Sequence, residues 1–249
     1  MDNKLHLSRP GRRRLTRDTA LLAVAFAVGA VTLAPAAGQD PGAEQIPALR
    51  EAPLKQYRAF RRMHARNEKF NQEAWIDAWT EMDGAAFKYE ITSERGSDYI
   101  RNKVLKAILT REQDLVMRGE SARAEISAEN YLFEEPDAQH SEFRYVMITA
   151  KRKDILLVNG RMVLNPAGTE LLRVEGTLAK NPSFWTSTVN IVREFAMLDG
   201  VRVPVSTATV AKLKFAGHAQ MDVRYEYETV NGRPVDLASI HRAGGPNGH

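Results

Sequence analysis

The 249-residue chain carries 35 Lys+Arg and 31 Asp+Glu, a formal charge of +4 with a pI near 9.3. Six of the basic residues and two of the acidic ones lie in residues 1–38, so the remainder has 29 of each sign and is neutral. That balance removes the excess of Lys and Arg that nucleic-acid binding needs. The absence of cysteine excludes disulfides, thiolate nucleophiles, cysteine metal sites and lipidation through an N-terminal cysteine.

From the N-terminus, Lys4, Arg9, Arg12, Arg13, Arg14 and Arg17 precede the uncharged run "ALLAVAFAVGAVTLA" and the small residues Pro35, Ala36, Ala37 and Gly38. This is the pattern of a cleaved secretory signal peptide over 1–38, which predicts a periplasmic or secreted protein. The apolar run of 15 residues is short of the roughly 20 a membrane span needs, leaving an uncleaved inner-membrane anchor as the alternative. "RRRLT" carries a weaker hint of twin-arginine export. Residues 39–53, rich in Pro, Gly and charge, read as a flexible lead-in. Residues 54–235 read as one domain, and 236–249 as a disordered tail.

Within the domain, Arg50, Lys55, Arg58, Arg61, Arg62, Arg66 and Lys69 form a basic cluster. A solvated face paired with acids elsewhere is the expected meaning, and a patch for anionic lipid or an acidic partner the alternative. Segment 54–66 suits either helix or strand. "WIDAWTEM" and "FKYEITSE" read as strands around a turn at Asp83-Gly84. The stretch 96–116 then places Ile100, Val104, Leu105, Ile108 and Leu109 at helical spacing, with Ser97 as N-cap and Gly119 as stop. A second, short helix is expected from Ser127.

Strands are expected at 143–150, 153–158, 161–165 and 170–179, with turns at Asn159-Gly160 and at "NPAG" over 165–168. Val189, Ile191 and Phe195 then share a face with Trp185. Val205, Thr207, Thr209, Leu213 and Phe215 share another, and Met221, Val223, Tyr225 and Tyr227 alternate with charged residues. Period two with one wet face marks antiparallel strands, and Asp199-Gly200 suits a tight hairpin. Some ten such strands form a curved meander whose concave face must be covered or must hold something. One helix of about 20 residues, roughly 30 Å long, covers only part of it.

Enzyme signatures are absent: there is no GxSxG, HExxH, GxGxxG or P-loop, and the histidines are scattered without metal-ligand spacing. No cofactor or metal is implied. Trp75, Asp77, Trp79 and Glu81 would share one face of a strand. That arrangement fits a sugar groove or, more simply, a charged outer face with half-buried tryptophans.

"SDYIRNKVLKAILTREQ", "LRVEGTLAKNPSFW", the "DGVRVPV" hairpin and "MDVRYEYETVNG" together resemble the LolA-like superfamily, the periplasmic lipoprotein carriers and their uncharacterised exported relatives, over about residues 55–232. The resemblance implies a mainly β (α+β) fold: an incomplete antiparallel β-barrel with one long and one short helix packed on the concave side. It also implies a hydrophobic cavity that takes acyl chains in the carriers, and hence a non-enzymatic role in lipoprotein or lipid transport to the outer membrane. The carriers' functional residues have no identifiable counterparts in this sequence. From the alternation, the candidate lining is Ile100, Val104 and Ile108 of the helix with Trp185, Val189, Ile191, Leu213, Met221, Val223 and Tyr225 of the strands. The expected partner is a lipid or the acyl chain of a lipoprotein. The alternative is an envelope protein docked on a scaffold module whose concave face is filled by its own helix.

Overall fold

The computed structural model describes residues 51–135 and 142–236. The expected leader, the lead-in up to residue 50 and the tail beyond Asp236 lie outside them.

Alternation of buried and exposed side chains builds three strands first: β1 (Gln56–Asn67), β2 (Gln72–Asp83) and β3 (Ala86–Gly96). The segment that suited either helix or strand is therefore a strand. A helix of 20 residues follows, in three consecutive pieces: Asp98–Ile100, a π-helical turn Arg101–Leu105 and Lys106–Met117. Ser97 caps it, its hydroxyl accepting from the Ile100 amide at 3.5 Å, and Gly119 ends it at φ +66°. The wide π turn shifts the inward stripe from Val104 to Leu105, so Ile100, Leu105, Ile108 and Leu109 are buried and Val104 is half-buried.

After the helix the chain returns as β4 (Tyr131–Glu134), β5 (Arg144–Ala150), β6 (Val158–Leu164), β7 (Leu171–Leu178), β8 (Thr186–Leu198), β9 (Val201–Leu213) and β10 (Gly217–Val230), with β11 (Arg233–Pro234) added beside β10. All pairs are antiparallel, in the order β3-β2-β1-β10-β9-β8-β7-β6-β5-β4. The edges β3 and β4 do not join, so the sheet is an incomplete barrel, and the helix packs on β2 and β3. The architecture is the one the resemblance implies.

Three local expectations are corrected. Asn159-Gly160 is no hairpin turn, and 153–158 is no separate strand: both residues lie inside β6, and 151–157 form the connection. The reason lies across the ladder, where Gly160 faces Gly176. A Cβ on Gly160 would stand 2.1 Å from the Glu175 carbonyl oxygen, so glycine serves close strand approach here. The short helix is also displaced: it is a 3-10 turn at Ser121–Ala124, while 127–130 is a turn closed by the Asn130 and Tyr131 amides on the Ser127 carbonyl. Asp199-Gly200, by contrast, makes the β8–β9 hairpin with φ of +50° and +76°, the left-handed pair such a turn requires.

Two large clusters and a small third one, Ala124 with Leu156, make up the core of the described residues. Residues of β1, β2, β9 and β10 pack under the helix, while β4–β8 form a second cluster with Ile126 and Leu157.

Candidate functional site

Register explains where the two clusters meet. One cross-strand row runs Ile76, Met63, Val223, Thr207, Arg193, Val174, Met162, Val146, from β2 to β5. Every member is buried, and only Thr207 and Arg193 are polar. They mark the seam between the helix-covered half and the β4–β8 half.

On the helix side of the seam, alternation along β1 points Tyr57 and Arg61 inward, against Glu112 of the helix. Arg61 donates to both Glu112 carboxylate oxygens at 2.5 and 2.9 Å and to the Tyr57 hydroxyl at 2.6 Å, a bidentate pair. Both partners are 2% exposed. Arg61 was expected on a solvated basic face; the strand's period turns it inward, and a buried guanidinium then needs a buried carboxylate. Its neighbours do as expected: Arg58 pairs with Glu81 and Glu228, Arg62 with Glu226, and Arg66 with Glu68. Burial works against the Arg61 charge, but Glu112, Tyr57 and Tyr225 outweigh it and hold its pKa above the ordinary value. Burial pushes the Tyr57, Tyr225 and Tyr227 hydroxyls up, so these phenols stay neutral.

On the other side lies an apolar cavity of about 30 Å³, walled by Ile126, Val158, Val174, Leu178, Ile191 and Phe195 among others, with Arg193 its one charged wall residue. Burial lowers the Arg193 pKa.

The cavity's cover is a polar tie between segments 120–130 and 151–156. Asp154 accepts from Arg123 at 2.8 Å and from the Leu156 amide at 3.1 Å. Arg152 donates to the Asn130 side chain at 2.5 Å and to the Arg123 carbonyl at 2.9 Å, and Asn130 donates to the Ala122 and Glu125 carbonyls. Burial alone would raise the Asp154 carboxyl; the bonds from Arg123 and Leu156, with the charges of Arg123 and Arg152, hold it below the usual carboxylate range. Two open clefts flank the helix. One, of about 550 Å³, lies between Arg111, Asp114 and Arg123; the other, of about 420 Å³, lies between Glu112, Val116 and the turn at Gly84.

Ile100, Ile108, Val189, Leu213, Met221, Val223 and Tyr225 come together, buried beneath and around the helix, with Val104 half-buried against them. Ile191 is separate and lines the 30 Å³ cavity. Trp185 is apart from both: half-buried before β8 begins, its ring sits edge-on to Phe184 at 5.4 Å and Phe215 at 5.5 Å. The Arg61–Glu112 pair is absent from the sequence reading because a charge in the helix stripe reads as an interruption and its partner lies 51 residues away. Trp75 and Trp79 lie on the convex face, in contact with His64, Arg95, Phe60 and Arg58 of neighbouring strands. Among the described residues, no group of His, Asp or Glu could hold a metal ion, and no helix is long and apolar enough to cross a membrane.

These features define a class of fold: an open antiparallel half-barrel with a helix latched onto an apolar concave face. Among solved structures the chain is similar to a LolA superfamily protein, NE2245 from Nitrosomonas europaea, at 11% identity, over 76% of this chain and 90% of that one, with a TM-score of 0.35. A likeness that weak says nothing about function. Neither a family model nor a curated protein matches the chain.

Proposed function

We propose that this is an exported, non-enzymatic binding protein that takes a lipid or the acyl chain of a lipoprotein on its concave face, within the periplasm. The observation that carries the reading is the apolar cavity between β6, β7 and β8 and the segment 124–126. Apolar walls of this kind suit the chain of an amphiphile. At about 30 Å³ the cavity holds no more than a water or two, whereas ligand sites run to several hundred Å³. Loading therefore requires the cover at 120–130 to swing away. On this reading the leader over 1–38 is cleaved on export and the half-barrel over 54–235 is the working domain.

The same small volume favours the second reading, a scaffold whose concave face is filled by its own side chains. Extraction and mass spectrometry of lipid from the protein purified out of the cell envelope separates them. Co-purified lipid, and one site for a fatty acid or apolar dye after delipidation, is the expected result. A lipid-free protein that binds neither returns the concave face to the scaffold reading.

A further inference from the structure

Three connections meet at one end of the sheet. The β9–β10 turn touches the β1–β2 turn, where Asn67 donates to the Ala216 carbonyl at 3.1 Å and the Lys69 ammonium to the Phe215 carbonyl at 2.7 Å. The β7–β8 connection joins them through the Lys214 amide on the Trp185 carbonyl at 2.9 Å. Together they present Phe184 at 75% exposure, Phe215 at 63% and Phe70 at 43%, three of the eight exposed large apolar side chains among the described residues. Edge-on packing of Phe184 and Phe215 against Trp185 orders the group before any partner arrives. Lys69, Lys180 and Lys214 stand in the same connections, the Lys214 ammonium 3.7 Å from the Phe184 ring centroid. The one acid there, Glu68, lies 3.4 Å from Arg66.

We infer that this aromatic and lysine rim docks the protein on an anionic lipid bilayer. Exposed aromatic rings cost solvation in water and gain it at the headgroup boundary, where Trp and Phe settle. Lysines interleaved with them match the negative surface of such a membrane. An acidic protein partner would also meet the lysines, but the rings project from separate turn tips rather than lining a groove, which suits shallow insertion into a fluid surface. Val158 and Leu178 of the cavity wall stand at the same end of the sheet, so docking brings the cavity toward the lipid. Docking itself does not depend on what the cavity holds.

The test uses the full chain carrying Trp75→Phe and Trp79→Phe, so that Trp185 alone reports. It is mixed with phosphatidylglycerol/phosphatidylcholine vesicles whose acyl chains carry bromine. The apolar leader can hold the chain on a vesicle by itself, so the readout is quenching of Trp185, which requires the rim to reach the acyl region. Expected are quenching on anionic vesicles, its loss in Phe184→Ser/Phe215→Ser, and an affinity about fivefold lower for Lys180→Glu or Lys214→Glu, each relieved by salt. Circular dichroism verifies that each variant is folded. Unquenched Trp185 on sedimented vesicles, or equal quenching in the serine variant, overturns the inference. So does wild-type self-association that the serine variant abolishes without any vesicle effect, which would make the rim a protein contact.

Discussion

At the scale of single residues, the Arg61–Glu112 pair joins the helix to the sheet, and its burial sets the consequence of breaking it. Removing one partner strands a charge in the core, which costs about 3–5 kcal/mol, whereas replacing both with apolar groups of similar size is often neutral. Glu112→Leu is expected to lower stability by that amount in urea denaturation, and Arg61→Met/Glu112→Leu to recover most of the loss. A double variant as unstable as the single would mean the pair contributes through other contacts. Tyr57 adds a donor-acceptor contact at 2.6 Å that neither substitution replaces, so recovery short of wild type is expected.

At the scale of elements, the cover over the cavity depends on Asp154. Its folded pKa lies below the ordinary carboxylate value near 3.8, so the unfolded chain binds the proton more readily. The stabilisation is thus present above pH 3.8 and is lost as pH falls from there through the folded pKa. Amide exchange at 122–131 is expected to rise over that range in the wild type. In Asp154→Asn it should be high at neutral pH and respond less to acid. Exchange that is independent of both would release the cover from this role. The helix is the other cover, and its periodicity was legible from Ile100 to Leu109, as were Ser97 and Gly119 at its ends. The π turn was not legible, because the shift from Val104 to Leu105 depends on how the helix seats on β2 and β3. The Asn159-Gly160 dipeptide misled for a related reason: its local preference for a turn yields to a partner glycine in β7 that permits close approach.

At the scale of the whole molecule, the two halves of the concave face are expected to respond differently to added volume. Val223 is 1% exposed and packed under the helix, so Val223→Trp overpacks a closed core and should cost about 1–3 kcal/mol. Ile191→Ala instead enlarges the existing cavity. It should destabilise by about 2–5 kcal/mol while increasing binding of an apolar dye. Thermal unfolding with and without dye reads both; a dye response to Val223→Trp and none to Ile191→Ala would move the binding space beneath the helix. N-terminal sequencing of the exported protein is expected to begin within two residues of the Ala36–Ala37 bond, and an intact Met1 would replace the signal peptide by an anchor.

Alternation and helical spacing are properties of neighbouring residues, so the sequence alone determined the strands of β8–β10, the Asp199-Gly200 hairpin, the capped helix and a curved antiparallel meander, while the open half-barrel plan came from the family resemblance. Neutrality outside residues 1–38 is likewise a matter of composition. What tertiary structure decided involves residues far apart in the chain: that Arg61 meets Glu112, that Thr207 and Arg193 interrupt an apolar row, and that Gly160 faces Gly176. It also decided that Phe184, Trp185 and Phe215 gather at one rim. Local pattern assigns a side chain to a face, but only strand register and the seating of the helix select which side chain it meets there.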